Sequence, residues 1–116
     1  MTVKDFDKIQ NSHILIIGLG GVGSWVAESL ARSGVGQLTI VDPDSVCISN
    51  INRQIIACNS TIGKSKINVM KSRILDINPN CKVTGIEDYF CEDTRDEVFK
   101  IKYDFAFDGI DRLKNK

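Results

Sequence analysis

The stretch that decides the fold reads ILIIGLGGVG and occupies residues 14–23. Its first half is a short, mostly β-branched run closed by a glycine, which predicts a strand buried on both faces. Residues 22–32 then place apolar and small side chains at helical spacing, which predicts a helix that packs closely on a sheet. The intervening Gly18, Gly20 and Gly23 match the pattern G-x-G-x-x-G. Between a strand and a helix, this pattern is typical of a turn that brings backbone amides to a phosphate; a glycine-rich turn without a ligand is the alternative.

The rest of the chain alternates strands with helices. Three further strands are predicted at residues 38–41, 83–86 and 103–107, and two further helices at about 64–77 and 92–100. Such alternation implies right-handed crossovers and a Rossmann-like parallel sheet with helices on both faces. The chain ends just as another helix is predicted to begin. We therefore expect an α/β domain that is truncated after its fourth strand.

Composition and charge limit the classes of protein to consider. A chain of 116 residues with 42% hydrophobic and 26% charged content suits one compact domain. Fifteen basic and fifteen acidic residues give a net charge of zero, which argues against a basic nucleic-acid module or an acidic disordered tail. The charge is sorted along the chain, because residues 61–80 carry four cations and one acid whereas residues 87–111 carry nine acids and three cations.

Membrane spans, export signals and zinc-binding cysteine pairs are not expected. The apolar run at residues 14–17 is far shorter than the roughly 18 residues of a spanning helix, and no signal segment precedes it. No C-x-x-C pair occurs, which fits neither a zinc ribbon nor a secreted disulfide framework. The cysteines are Cys47, Cys58, Cys81 and Cys91. We expect a soluble cytoplasmic protein without a membrane partner, in which the cysteines are reduced and mostly fill the core.

Two acids follow the second predicted strand. Asp42 lies 19 residues after Gly23, where an acid about 20 residues beyond the glycines accepts a hydrogen bond from a ribose hydroxyl. The glycine turn and this acid together predict a nucleotide site. Asp44 could make a second contact to the ribose, or bind a cation. An aspartate after a proline more often forms a turn or caps a helix, and we favour the cap.

The residues that follow bear on whether the nucleotide is a dinucleotide or a triphosphate. Arg53 has amide side chains on both sides and is the only Arg or Lys between Arg32 and Lys64. Lys64 and Lys66 come at the predicted start of a helix, where the helix dipole disfavours a cation unless an anion is bound. Each cation taken singly is typical of solvated surface charge. Jointly they favour a triphosphate, whose transfer chemistry requires cationic side chains and a metal.

Two carboxylates, Asp108 and Asp111, follow the fourth predicted strand. Ligands bind at the carboxyl edge of open α/β sheets, so one of these acids could hold Mg²⁺ against phosphate oxygens. The alternatives are a hydrogen bond from the glycine turn to Asp108 and a helix cap at Asp111. His13 is the only histidine and is expected to be structural.

Four segments of the chain carry a resemblance to a known family. They are IIGLGGVGSW at residues 16–25, SGVG at 33–36, VDPDSVC at 41–47 and SNINRQI at 49–55. Together they resemble the ThiF/MoeB/HesA superfamily, whose relatives include the ubiquitin-activating enzymes and whose members adenylate a carboxylate with ATP and Mg²⁺. The sequences GVGSW, NRQI and INP are most similar to its tRNA threonylcarbamoyladenosine dehydratase branch. The resemblance extends over about residues 9–113.

The resemblance implies roles for individual residues. Asn50 and Arg53 would contact the triphosphate, and Lys66, in preference to Lys64, would neutralise its β- and γ-phosphates. Asp111 would bind Mg²⁺ in preference to Asp108, and we expect Arg53, Lys66 and Asp111 to carry the catalysis. The expected nucleotide-binding residues are Gly18, Gly20, Gly21, Gly23, Asp42, Asp44, Asn50, Arg53 and Lys66.

The same resemblance implies partners. A tRNA would be the substrate, the protein would form a homodimer, and a cysteine desulfurase or sulfur acceptor could be a further partner. Two features depart from the family pattern: residues 1–12 hold no arginine, and the chain ends before the family's C-terminal region. We therefore expect residues 1–116 to form a nucleotide-binding, ThiF-type Rossmann domain that is the N-terminal half of a larger family domain. Alone it should have weak or no dehydratase activity.

Three other functions fit parts of the sequence. A sulfur-carrier-protein adenylyltransferase of the ThiF/MoeB type would use the same nucleotide site. A fragment of an NAD-binding Rossmann oxidoreductase would bind NAD without magnesium dependence. A non-catalytic module would retain only a dimer interface.

Overall fold

A computed structural model describes residues 8–47, 51, 54, 56–88, 95–96, 98 and 100–109. Strands and helices alternate along these residues, and a short 3₁₀ turn over Asn59–Thr61 lies in the connection that follows the second strand. The main elements are β1 (His13–Ile17), α1 (Gly21–Arg32), β2 (Gln37–Val41), α2 (Lys66–Ile77), β3 (Lys82–Ile86) and β4 (Phe105–Asp108).

The strands form one parallel sheet in the order β3-β2-β1-β4. Ile17, at the end of β1, is in register with Val41 at the end of β2 and with Asp108 at the end of β4. Three strands therefore end side by side at one edge, the carboxyl edge, where ligands bind in open α/β sheets. This topology confirms the predicted Rossmann-like parallel sheet.

The two central strands, β1 and β2, are covered on both faces, whereas β3 and β4 are largely exposed. Ile16 belongs to the larger core cluster together with residues of α1 and α2, whereas its neighbours Leu15 and Ile17 pack on the opposite face with Val98. This alternation follows from the two-residue period of a strand. Residues 95, 96 and 98 are helical and residue 100 lies in a turn, so the helix predicted over 92–100 is confirmed at three of its four described residues.

Two element boundaries differ from the prediction by two residues. Helix α2 begins at Lys66 rather than Lys64, because the Ser65 side chain accepts a hydrogen bond from the Asn68 amide at 3.3 Å and caps the helix there. Strand β4 begins two residues later than predicted. Just before it, a carboxylate oxygen of Asp104 accepts the His13 amide at 2.7 Å, so a side chain takes the place of a backbone acceptor.

Helices α1 and α2 pack on each other through a buried acid. Glu28 on α1 is almost fully buried and pairs with Arg73 on α2 and with Arg32 on α1.

The Lys66 amide at the start of α2 donates to the carbonyl of Asp44, just beyond β2. Both helices consequently begin at the carboxyl edge of the sheet.

The cysteines correct one expectation. Cys81 is buried, but Cys47 and Cys58 are exposed because they lie in the polar connection between β2 and α2, so the prediction of core filler is wrong for these two. Hydrogen bonding with the hydroxyls of Ser60 and Thr61 lowers the pKa of Cys58 to about 7. Cys91 lies outside the described residues. No helix in the described part of the chain has the length and apolarity that crossing a bilayer requires.

Candidate functional site

The glycine turn joins β1 to α1 in a conformation that requires glycine at two positions. Gly18 has a φ of 92°, in the left-handed region, and its amide donates to the carbonyl of Val41 at 2.7 Å. A Cβ added to Gly23 would lie 1.9 Å from the Gly18 carbonyl oxygen. These contacts match the tight turn and the close helix packing that the glycine pattern predicts.

The N-terminus of α1 is open. Its N-cap residue is Gly20, which has no side chain to cap the helix, and the first turn holds no acidic residue. The Ser24 hydroxyl donates back to the Gly20 carbonyl at 2.7 Å. A helix begins with amide groups that have no intrahelical partner and with a partial positive charge. An anion can therefore bind here.

Asp42 ties the glycine turn to the end of β2. It is only 5% exposed; Oδ2 accepts the Leu19 amide at 2.7 Å, and Oδ1 accepts the Asp44 amide at 2.8 Å. Each carboxylate oxygen has a second lone-pair direction, so a ribose hydroxyl can still donate to it. The sequence indicated the place of this acid but not that it also holds the turn.

Asp44 lies at the surface of the same edge. Its carbonyl accepts the Lys66 amide at 3.1 Å, but the cap of α2 is the Ser65 side chain. The helix cap that we favour for Asp44 is wrong, because no helix begins at residues 45–47 that follow it, and Asp44 is exposed at this edge.

Lys66 is the first residue of α2 and is only 6% exposed, whereas Lys64 is exposed. Within the described residues, the ion pairs are those of Glu28 with two arginines, and Lys66 takes part in none. A cation at a helix N-terminus is unfavourable unless an anion accompanies it. Burial therefore distinguishes Lys66 from Lys64 on physical grounds.

Gln54 is a polar residue at this site that was not expected from the sequence. It is 4% exposed, and Oε1 is buried with no hydrogen-bond partner among the residues that the structure describes. Its Nε2 lies 4.0 Å from the position that a Cβ on Gly20 would occupy. The available signal was its place beside Arg53, but spacing alone does not reveal burial.

The remaining predicted site residues are distributed between the described and undescribed parts. Asn50, Arg53 and Asp111 lie outside the described residues. Asp108 ends β4 in register with Ile17 and is exposed at the carboxyl edge. The described residues contain no group of three or more His, Cys, Asp or Glu side chains suited to a metal ion.

A second polar cluster lies at the opposite, amino edge of the sheet. His13 Nε2 is 2.7 Å from the Thr39 hydroxyl, and the imidazole meets the ring of Tyr103 edge-on at 4.6 Å. The Tyr103 hydroxyl donates to the carbonyl of Val98 at 2.8 Å. Burial lowers the pKa of His13, although the charge of Asp104 opposes this shift. The contacts agree with the expected structural role of His13.

Comparisons with known proteins place the chain in a family. The model of the ThiF family matches residues 1–116. The tRNA threonylcarbamoyladenosine dehydratase of Haemophilus influenzae is 47% identical over 115 residues, which are 99% of this chain and 44% of that protein. The molybdopterin-synthase adenylyltransferase of the same organism is 34% identical over 113 residues, 95% of this chain and 46% of that protein.

A solved structure agrees with the sequence matches. The Escherichia coli tRNA N6-threonylcarbamoyladenosine dehydratase, TcdA, in complex with ATP, superimposes with a TM-score of 0.91 at 42% identity. The match covers 94% of this chain and 45% of that one. The chain therefore spans less than half the length of the relatives that it matches. Sequence, fold and the glycine turn agree, and the chain belongs to the ThiF family.

Proposed function

We propose that this chain is the ATP-binding part of an enzyme that activates a carboxylate by adenylation. The observation that carries the proposal is that α1 begins at Gly20, which has no side chain to cap it, at the same edge of the sheet as Lys66, which is buried without an ion pair within the described residues. A polyanion would meet the requirements of both features, since it offers acceptors to the helix amides and a counter-charge to the lysine.

A triphosphate fits this arrangement better than a dinucleotide. A helix N-terminus and a glycine turn suffice for the pyrophosphate of NAD. Displacement of pyrophosphate from ATP builds up additional negative charge, which a cation and a metal ion stabilise. Lys66 supplies such a cation, and Arg53 would supply a second.

The other residues of the site would orient the nucleotide. Asp42 would accept a ribose hydroxyl with its remaining lone pairs, and Asp44 would add a second contact. Asn50 would contact the triphosphate. Asp111 would hold Mg²⁺, which binds through one or two carboxylates together with phosphate oxygens and waters. Catalysis would come mainly from positioning and from electrostatic stabilisation of the phosphates.

We further propose that the whole protein is a cytoplasmic, homodimeric tRNA threonylcarbamoyladenosine dehydratase. The threonine carboxylate of the modified adenosine would attack the α-phosphorus and release pyrophosphate. Ring closure at the acyl carbon would then expel AMP, so the oxygen lost in the dehydration leaves on AMP. The 47% identity to a dehydratase, against 34% to an adenylyltransferase, supports this substrate.

The second candidate is adenylation of the C-terminus of a sulfur-carrier protein. The 34% identity to the molybdopterin-synthase adenylyltransferase favours it over the remaining alternatives. A cysteine desulfurase or sulfur acceptor would be a natural partner of such an enzyme. Exchange of pyrophosphate into ATP distinguishes the two candidates, because only the true carboxylate substrate stimulates it.

Calorimetric titration of the protein with ATP·Mg²⁺ and with NAD tests the proposal. We expect ATP to bind, NAD not to bind, and Arg53→Ala to weaken ATP binding. Binding of NAD without binding of ATP would overturn it. The oligomeric state is measured in the same samples by sedimentation, which checks the homodimer.

A further inference from the structure

The chain that leaves β4 lies in contact with the glycine turn. A Cβ built on Gly109 would lie 3.2 Å from the carbonyl oxygen of Gly18 and 3.3 Å from Cα of Gly23. Atoms in ordinary contact are about 3.5–4.0 Å apart, so a methyl group does not fit here without a displacement. The Gly109 amide donates to the carbonyl of Ile17 at 2.7 Å, which holds this backbone in place. A side chain on Gly109 would therefore push on the turn.

The carbonyl oxygen that it would push on belongs to a peptide group whose other side is held by Asp42. The Gly18 carbonyl and the Leu19 amide are parts of one planar unit, so they move together. The Leu19 amide donates to Oδ2 of Asp42 at 2.7 Å, and the Leu19 side chain is fully buried. A shift of the Gly18 oxygen consequently tilts the Leu19 amide away from the carboxylate.

We propose that Gly109 is a positioning residue of the nucleotide site, which acts through the peptide group between Gly18 and Leu19 and not by touching the ligand. Its lack of a side chain lets this peptide group take the orientation in which the amide holds the Asp42 carboxylate. Asp42 is the acid that would accept the ribose hydroxyl, and the same turn leads into the N-terminus of α1. The inference rests on the proposed ATP site and adds to it a residue outside both the glycine pattern and the connection after β2.

Hydrogen exchange of Gly109→Ala measures the orientation of this peptide group directly. The Leu19 amide should exchange about tenfold faster, because its hydrogen bond to Asp42 is weakened. The amide of Ile40, in the central strand β2, should change by a smaller factor. A general loss of stability would instead accelerate the exchange of Ile40 at least as much as that of Leu19. The melting temperature does not make this distinction, because alanine also restricts the unfolded chain.

ATP affinity is the second quantity to measure. It should fall by about three- to tenfold in Gly109→Ala, and further in Gly109→Val, because a larger side chain displaces the peptide group more. Ala106→Val is the matched control, since it adds methyl groups to β4 at an exposed position three residues earlier. The control should change neither the exchange of the Leu19 amide nor the ATP affinity.

The outcomes separate this inference from the proposed function. If the unsubstituted protein fails to bind ATP, the proposed function fails and the positioning role with it. If it binds ATP and Gly109→Ala binds ATP within twofold of it, the positioning role alone is refuted. A loss of affinity with equal acceleration of the Leu19 and Ile40 amides would refute the action through the peptide group.

A second pair of variants covers the case in which Gly109→Ala does not fold. The Cβ of residue 109 would also lie 3.1 Å from Cε1 of Phe107. Phe107→Leu removes that ring atom and leaves the two close contacts with the turn. Adding Gly109→Ala to Phe107→Leu should therefore produce the same relative changes in Leu19 exchange and ATP affinity, and their absence would refute the positioning role.

Discussion

The two edges of the sheet differ in whether their polar groups have partners within the protein. At the amino edge, His13, Thr39 and Tyr103 are held by contacts within the protein. At the carboxyl edge, α1 begins at Gly20, which has no side chain to cap it. Among the described residues, buried Lys66 has no ion pair, and the buried Oε1 of Gln54 has no hydrogen-bond partner. A polar cluster whose groups satisfy one another stabilises the fold. A polar cluster whose groups lack such partners indicates a site for a ligand.

Parallel topology accounts for this difference. Each crossover leaves a strand at its carboxyl end and enters a helix there, so helix N-termini and their partial positive charge collect at that edge. The amino edge receives only the chain returning to the strands. Substitutions at the two edges should therefore have separable effects on stability and on nucleotide binding.

Gly23→Ala should have the largest effect on the carboxyl edge. Its Cβ would lie 1.9 Å from the Gly18 carbonyl oxygen, a backbone atom of the turn that cannot move without breaking the start of α1. We expect a loss of about 3 kcal/mol or more in the free energy of unfolding, measured by urea denaturation.

Gly20→Ala is the matched control for that variant. A Cβ there would meet only Nε2 of Gln54, at an ordinary 4.0 Å, among the described residues. Its unfolding free energy should change by no more than about 1 kcal/mol. Equal stabilities of the two variants would contradict the close approach of α1 to the turn.

Lys66→Met should separate binding from stability. Removing a cation that opposes the helix dipole and has no ion pair within the described residues should leave the free energy of unfolding unchanged or increase it. ATP affinity should fall by about tenfold to a hundredfold, because a charge-assisted contact to phosphate is lost.

Lys64→Met, at an exposed position two residues earlier, is the control and should bind ATP within twofold of the unsubstituted protein. Calorimetry measures both affinities. Similar losses in the two variants would mean that general surface charge, and not the buried lysine, attracts the nucleotide.

Thr39→Val should produce the reverse pattern at the amino edge. It removes the hydroxyl that lies 2.7 Å from His13 Nε2 and leaves that nitrogen buried without its partner. The expected loss is about 1–3 kcal/mol of unfolding free energy. Nucleotide affinity should not change. Thr84→Val, at an exposed position on β3, is the control and should change neither the free energy of unfolding nor the ATP affinity. A weaker ATP affinity in Thr39→Val would show that the two edges are coupled.

The smallest expected effect is a pH dependence at the amino edge. Burial holds the pKa of His13 below its ordinary value of 6.5, so the unfolded chain binds a proton more readily than the folded one. The stabilisation by neutral His13 is complete above pH 6.5 and decreases as the pH falls below it. Urea denaturation from pH 8 to 5 should show this loss of unfolding free energy in the unsubstituted protein and not in His13→Asn. Parallel pH profiles of the two proteins would argue against a contribution from His13.

Much of the fold could be predicted because its signals are local. The apolar run ending at Gly18 and the spacing of Gly20 and Gly23 predicted β1, the turn and α1 without knowledge of any distant residue. The element boundaries were less predictable. Helix α2 begins after Ser65 rather than at Lys64, because the start of a helix depends on which side chain the folded loop brings to the first helical amides.

The sequence by itself determined the alternation of strands and helices, the glycine turn and the membership of the family, since each depends on residues close together in the chain. Only the tertiary structure decided which polar groups are buried. It gave a physical reason to prefer Lys66 to Lys64, linked Asp42 to the turn and enclosed Gln54 beside Gly20. Burial arises from the packing of elements that are distant in sequence, so spacing along the chain cannot reveal it.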